Sequence, residues 1–315
     1  MANTVPTIDL TKSEDELAVK IKDACMTSGF FYVGGHGIPS SLVDGTMDAN
    51  RKLFSLPLEQ KQALLADKNN RGWTPFGEET LDPSSQKQGD TKEGFYFGRE
   101  ISPESPEAKL PLHGPNQWPN EHLVPGYRAS MEQYMRAMNE LGHRLLRLLA
   151  LGLGLPPDHF DRFFDRPMIF LRPLHYAPKV SAPSEGVFGA GAHSDYGMLT
   201  LLKTDDVPGL QIHTDATGWM DVPPKPECFI INLGDMLERW TNGMYKSTLH
   251  RVVNTTGKER YSLACFFEPN FDTIVECLPQ CCSPERPPQF PPTTSGQHLL
   301  DKYASTHAGY ANLKQ

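Results

Sequence analysis

The chain carries His193-Ser194-Asp195, then His250, then Arg260-Tyr261-Ser262. Two imidazoles and one carboxylate can cover one face of an iron(II) ion. Three positions then stay open for dioxygen and a chelating acid. His193 and Asp195 are separated by one residue, so in an extended strand both point to the same side. His250 sits in the alternating run Ser247 to Val253 and can complete the face from across a barrel. Arg260 offers an always-charged planar fork that fits a carboxylate, and Ser262, two residues on, adds a hydroxyl on the same strand face.

Blander roles compete with this one. A lone strand histidine is usually a core residue, and Arg260 could pair with one of the chain's own acids inside the barrel. Zinc also accepts two histidines and a carboxylate, with water in the fourth position. Two features favour iron: no H-E-x-x-H helix is present, and a hydrolase has no evident use for Arg260 and Ser262.

The elements that must hold these residues follow from periodicity. From about 168 onward, eight short apolar runs alternate with turn signals: Met168–Tyr176, Met198–Lys203, Gly209–His213, Trp219–Val222, Cys228–Asn232, Thr248–Asn254, Tyr261–Phe267 and Thr273–Cys277. That spacing predicts a jelly roll, with Asp215–Gly218 as a hairpin turn. Upstream, Ser13 to Glu16 has the form of a capping box and opens a helix through Leu17, Ile21 and Cys25. Phe30–Val33 reads as a buried strand, and helices are expected over about 40–54 and 57–65. Met131, Met135, Met138, Leu141, Leu145, Leu148 and Leu149 recur at helical spacing and end at Gly152, Gly154 and Pro156. Residues 67–120 read as a long loop region with a hairpin near Phe95–Phe97, of the kind that often forms a lid. A last helix is expected over about 295–306.

The fold class is therefore α+β: one domain over 1–315, with a double-stranded β-helix (jelly-roll) core. A helical part to about 165 packs against the jelly roll of about 166–280, and a C-terminal loop and helix follow from about 281. At 315 residues and a formal net charge of −8, the chain can bury a sizeable core and is a poor partner for nucleic acid or an anionic membrane. No apolar run is long enough to span a bilayer, and the N-terminus lacks the form of a secretory signal. The six cysteines include no C-x-x-C pair and read as reduced thiols of a cytoplasmic protein. Cys277, Cys281 and Cys282 could take a soft metal, but their Pro-rich surroundings favour incidental thiols in a loop.

These motifs resemble the Fe(II)- and 2-oxoglutarate-dependent dioxygenases of the isopenicillin-N-synthase-like group. Val5–Leu10, Gly29–Val33 and His36–Ile38 are similar to that family's N-terminal region. Ala192–Thr200, Gly209–Gln211 and Asn232–Asp235 are similar to its catalytic barrel. The resemblance implies that His193, Asp195 and His250 hold non-haem Fe(II), and that Arg260 and Ser262 take the C5 carboxylate of 2-oxoglutarate. It implies a further contact from Tyr176, whereas Leu174 stands where many relatives carry asparagine. The resemblance also implies O2 as the second cosubstrate, release of succinate and CO2, and ascorbate as a candidate reductant. Because Asp195 is present, oxygen transfer or desaturation is expected rather than halogenation.

A narrower resemblance concerns the substrate. Arg71–Pro75, Gly77–Pro83 and Gly89–Tyr96 resemble a plant subgroup that includes homoarginine-6-hydroxylases, and Gly77–Glu79 and Glu268–Phe271 are similar to the bacterial ethylene-forming enzyme. The implied substrate is a guanidino amino acid such as homoarginine or arginine, with Glu79 and Arg172 as its contacts. Ser305 and His307 stand near positions where the arginine-binding relative carries an arginine and a tyrosine. By itself, Glu79 could be a solvated loop charge. Other outcomes are a flavonoid, alkaloid or heterocyclic substrate, an oxidase that uses no 2-oxoglutarate, or a binding protein without turnover. A small-molecule partner and a monomer are expected.

Overall fold

The computed structural model describes residues 4–306. Strand β1 (Thr7–Asp9) leads into helix α1 (Glu14–Thr27), where the Ser13 hydroxyl accepts the Glu16 N–H as the capping box predicts. Strand β2 (Phe30–Gly34) pairs in parallel with β1. Helices α2 (Ser40–Phe54) and α3 (Leu58–Gln62) follow where their periodicity places them. The region 67–120 is mostly irregular but supplies strands β3 (Gly72–Thr74) and β4 (Lys92–Gly98), which pair antiparallel. The chain's longest apolar stripe becomes its longest helix, α4 (Tyr127–Gly152), ending at Gly154 with φ 73°.

The second half builds the jelly roll: β5 (Met168–Tyr176), β6 (Ala190–His193), β7 (Leu199–Thr204), β8 (Leu210–Thr214), β9 (Gly218–Asp221) and β10 (Phe229–Leu233). A short helix α5 (Asp235–Trp240) precedes β11 (His250–Val252), β12 (Arg260–Glu268) and the small pair β13 (Ile274–Val275) and β14 (Thr293–Thr294). Helix α6 (Ser295–Thr306) closes the described chain; His307 lies outside the described residues.

Eight strands form the major sheet in the order β1-β2-β10-β7-β12-β5-β4-β3. The minor sheet runs β6-β11-β8-β9. The N-terminal half is thus not only helical: it contributes two strands to each edge of the major sheet. Its Phe30–Gly34 and Lys92–Gly98 segments are apolar enough to be buried and satisfy edge groups of β10 and β5. Strand β6 is not visible in the apolar pattern. Ala190-Gly191-Ala192-His193 has no β-branched residue and no Phe, Tyr or Trp, and it is a strand because it pairs with β11.

Alternation divides β12 cleanly. Leu263, Cys265 and Phe267 belong to the main core beneath α4, where Gly142 lets the helix approach the Phe267 ring. A Cβ at Gly142 would lie 2.9 Å from that ring. The opposite face, Arg260, Ser262, Ala264, Phe266 and Glu268, lines a cavity between the two sheets. Strand β5 lies in register beside it: Tyr176 opposite Arg260, Leu174 opposite Ser262, Arg172 opposite Ala264, and Phe170 opposite Phe266.

Candidate metal centre and its cavity

His193 ends β6 and His250 opens β11, and the two residues are direct cross-strand partners. Asp195 is not on the strand. It sits in the turn leading to β7, so the shared strand face expected for His193 and Asp195 is replaced by a turn that brings the carboxylate back to the rings. One Asp195 oxygen lies 3.8 Å from His193 Nε2 and 3.5 Å from His250 Nε2. All three ligand atoms fall within 4.8 Å of one another, so one ion can touch all three.

The surroundings leave the correct atoms available. His193 Nδ1 bonds the Gly191 carbonyl at 2.8 Å, and His250 Nδ1 bonds the Thr248 carbonyl at 3.1 Å. Each carbonyl fixes the N–H on Nδ1 and leaves the Nε2 lone pair for a metal. Thr200 and Asn232 both donate to Oδ2 of Asp195, which turns Oδ1 toward the histidines. Burial, helped by the neighbouring His250, lowers His193 to about 4. Burial also pulls His250 down, but the Asp195 charge outweighs it and raises the ring above its ordinary value. For Asp195, burial pushes upward, and His250 with the Thr200 hydrogen bond overcomes it and holds the carboxyl well below its usual range. A divalent cation would take the place of the proton shared here.

Further along the cavity, Arg260 donates Nε to the Val207 carbonyl at 3.2 Å and lies 4.7 Å from the Tyr176 ring centroid. Its Nη1 and the Ser262 hydroxyl are buried with no hydrogen-bond partner among the described residues. Arg260 makes no ion pair within 4.0 Å among the described residues, so the internal-partner role weighed from the sequence is not what the fold builds. Two adjacent, buried, unpartnered donors fit a ligand carboxylate. Leu174, opposite Ser262, offers no polar atom in this grip.

Glu79 and Arg172 come together, but with each other. Arg172 meets Glu79 through two contacts of 3.1 and 3.0 Å and stacks over Tyr96 at 4.2 Å. Lys92 adds a 2.9 Å contact to Glu79 and a second ion pair to Asp90. Burial lowers Lys92 and Arg172, yet the facing acids raise both above their ordinary values. Glu78 is exposed. Ser305 is exposed and bonds the Lys302 carbonyl; Leu299 and Tyr303 are the α6 residues that line the cavity. Sequence reasoning did not single out Thr200, Asn232, Lys92 or Glu268. Asn232 and Glu268 act through partners far away in sequence, 37 and 70 positions off, whereas Thr200 and Lys92 also reach acids within five residues of themselves. The six cysteines are free, and the metal-type cluster among the described residues is the His193, Asp195 and His250 group.

A jelly roll that holds two histidines and an aspartate at one end of a cavity, with an unpartnered Arg-Ser pair beside them, defines the class of mononuclear non-haem iron oxygenases. Residues 5–121 match the non-haem dioxygenase N-terminal family described from morphine synthesis, and residues 168–269 match the 2OG-Fe(II) oxygenase superfamily. The chain belongs to the 2-oxoglutarate- and Fe(II)-dependent oxygenases and is a dioxygenase of that type. It is 36% identical to azadirone synthase of Melia azedarach over 98% of this chain and 94% of that one. It is 35% identical to a homoarginine-6-hydroxylase of Glycine max, over 88% of both chains. The crystal structure of Neurospora crassa T7H in complex with alpha-KG matches with a TM-score of 0.85 and 30% identity, covering 96% of each chain. Among the described residues no helix is long and apolar enough to cross a membrane.

Proposed function

We propose that this oxygenase hydroxylates a small substrate with a guanidino side chain, homoarginine or arginine first, and releases succinate and CO2. One observation carries the cosubstrate part: the buried, unpartnered Arg260 Nη1 and Ser262 hydroxyl share the cavity of His193, Asp195 and His250. Bound Fe(II) with 2-oxoglutarate supplies oxygen activation and oxidative decarboxylation there. The protein's own residues do the rest. His193, Asp195 and His250 hold the ion; Arg260 and Ser262 hold the distal carboxylate; Tyr176 covers the guanidinium. Glu79 and Arg172 wall the cavity as a paired unit, and the similarity to a homoarginine-6-hydroxylase supports the substrate class.

The test has two parts. Anaerobic Fe(II) with 2-oxoglutarate should give a visible metal-to-ligand band, lost in Arg260→Ala with iron retained. Aerobic succinate release should then be coupled to loss of homoarginine or arginine. Succinate release coupled only to an uncharged heterocycle or flavonoid would overturn the substrate class and leave the reaction class standing.

A further inference from the structure

Of the acids lining the cavity, Glu268 alone is uncompensated. It ends β12 on the face that begins with Arg260, and it is 2% exposed. One oxygen accepts the Met198 N–H at 2.5 Å. The carboxyl lies against the Gly197 Cα, where any Cβ would overlap it. No cation reaches it among the described residues. Burial, with the nearby Asp195 charge, pushes it up to about 8, which favours the neutral acid.

Among the described residues, the other charges around the cavity cancel. Arg172 and Lys92 balance Glu79 and Asp90. When the metal site is filled, the two charges of iron(II) and that of Arg260 balance Asp195 and the two carboxylates of 2-oxoglutarate. Ionised Glu268 would leave one negative charge over. Around it the cavity is aromatic, with Phe170, Tyr196, Phe266 and Tyr303 on its walls. An unpaired buried carboxyl among aromatic faces is the chemistry that receives an organic monocation.

We propose that Glu268, not Glu79, is the counter-charge for the substrate's cationic group, which the cavity takes as a guanidinium or ammonium in exchange for the Glu268 proton. The inference rests on the proposed function and names the residue that would enforce it. Glu79 already holds a guanidinium, that of Arg172, so a substrate cation at Glu79 would have to displace it. Binding at Glu268 displaces only a proton. The proton passes from the carboxyl to the buffer as the cation arrives, so charge balances at the site. The titratable groups nearest Glu268 are Asp195 in the turn before β7 and Tyr303 of α6, with Cys265 three residues back on the opposite face of β12.

The experiment is calorimetric binding of L-homoarginine, L-arginine and L-lysine to the full chain with anaerobic Fe(II) and 2-oxoglutarate. It is run in two buffers of different ionisation enthalpy, with L-citrulline as the uncharged comparison. About one proton should be released per cation bound near pH 6.5, and almost none near pH 9.5, above the Glu268 value. Glu268→Gln should abolish the release, weaken the cations tenfold or more, and leave L-citrulline unchanged. Infrared difference spectra provide a check that does not depend on the variant's folding. The wild-type protein should lose the carbonyl stretch of a protonated carboxylic acid when the cation binds. Cation binding without proton release, equal affinity in Glu268→Gln, or failure of all three cations to bind would overturn the assignment. The calorimetry is read whether or not the visible band forms. The band alone tests the cosubstrate site, so the two failures are distinguishable.

Discussion

At the metal centre, hydrogen bonds decide which atoms face the ion. Thr200 and Asn232 hold one oxygen of Asp195, and a ligand held in this way contributes strongly to metal affinity. Thr200→Val keeps the shape and removes the donor. Iron(II) affinity is expected to fall roughly 10- to 100-fold, as is that of Asn232→Leu, measured by anaerobic competition titration. If both variants bound iron like wild type, the orienting role would be wrong. Ser262 tests the other end of the site. Its hydroxyl is buried and unpartnered, and a hydrogen bond to a charged group contributes about 1.5–3 kcal/mol. Ser262→Ala should therefore raise KM for 2-oxoglutarate on the order of tenfold to a hundredfold, with iron affinity unchanged.

At the scale of elements, the cavity depends on strands from distant parts of the chain. Strand β4 is tied to α3 and β5 by Glu93, a buried carboxylate that accepts from Lys61, from the Trp73 indole at 2.7 Å and from His175 at 2.8 Å. Burial pushes Glu93 up, but the His175, Lys61 and Trp73 contacts outweigh it and hold the carboxyl below its ordinary value of 4.5. A depressed acid contributes stability that is present above its unfolded value and is lost as pH falls through its folded one. The stabilisation should thus be intact at neutral pH and decline below about pH 4.5. Glu93→Gln leaves Lys61 buried without its partner and should cost about 3–5 kcal/mol at pH 7 in denaturant unfolding. The gap between variant and wild type should narrow as the pH is lowered, and a gap that widened instead would contradict the linkage.

The same dependence on distant partners explains what could be read from the chain. Strand β5 and helices α2 and α6 fall where their patterns place them, because burial on one face imposes a local period. His193, Asp195 and His250 could be picked out because ligand chemistry restricts residue type, although a turn and not strand alternation brings Asp195 to the rings; alternation does place Arg260 and Ser262 on one face of β12. Strand β6 was not legible, since pairing alone makes Ala190–His193 extended. Nor was the pairing of Glu79 with Arg172, which joins residues 93 positions apart. Glu268 entered the sequence reading only as the first residue of the Glu268–Phe271 run, with no role of its own. Its isolation from any cation is a property of the closed cavity, not of its neighbours in sequence.

For the whole molecule, the charge buried in the cavity sets stability against binding, and the two can be measured separately. Arg260 is 1% exposed between the two sheets, with one carbonyl, one ring face and no ion pair among the described residues. A buried charge without a full partner destabilises the fold, and replacing it with an apolar side chain of similar length is often neutral or stabilising by about 1–4 kcal/mol. Arg260→Met should therefore unfold at the same temperature as wild type or higher when both lack metal and cosubstrate. The order should reverse when ligand is added. A ligand at 100 times its Kd stabilises the native state by about 2.7 kcal/mol. For a domain of this size each kcal/mol moves Tm by about 2 °C, so 2-oxoglutarate with anaerobic Fe(II) should raise the wild-type Tm by about 5 °C beyond iron alone. Arg260→Met should keep the increment from iron and lose the one from 2-oxoglutarate. Scanning calorimetry on the two proteins, each without ligand, with iron, and with iron plus 2-oxoglutarate, measures all three terms. A variant that is less stable than wild type without ligand would show that Arg260 holds the barrel together through Val207 and Tyr176, and is not a charge kept for a ligand.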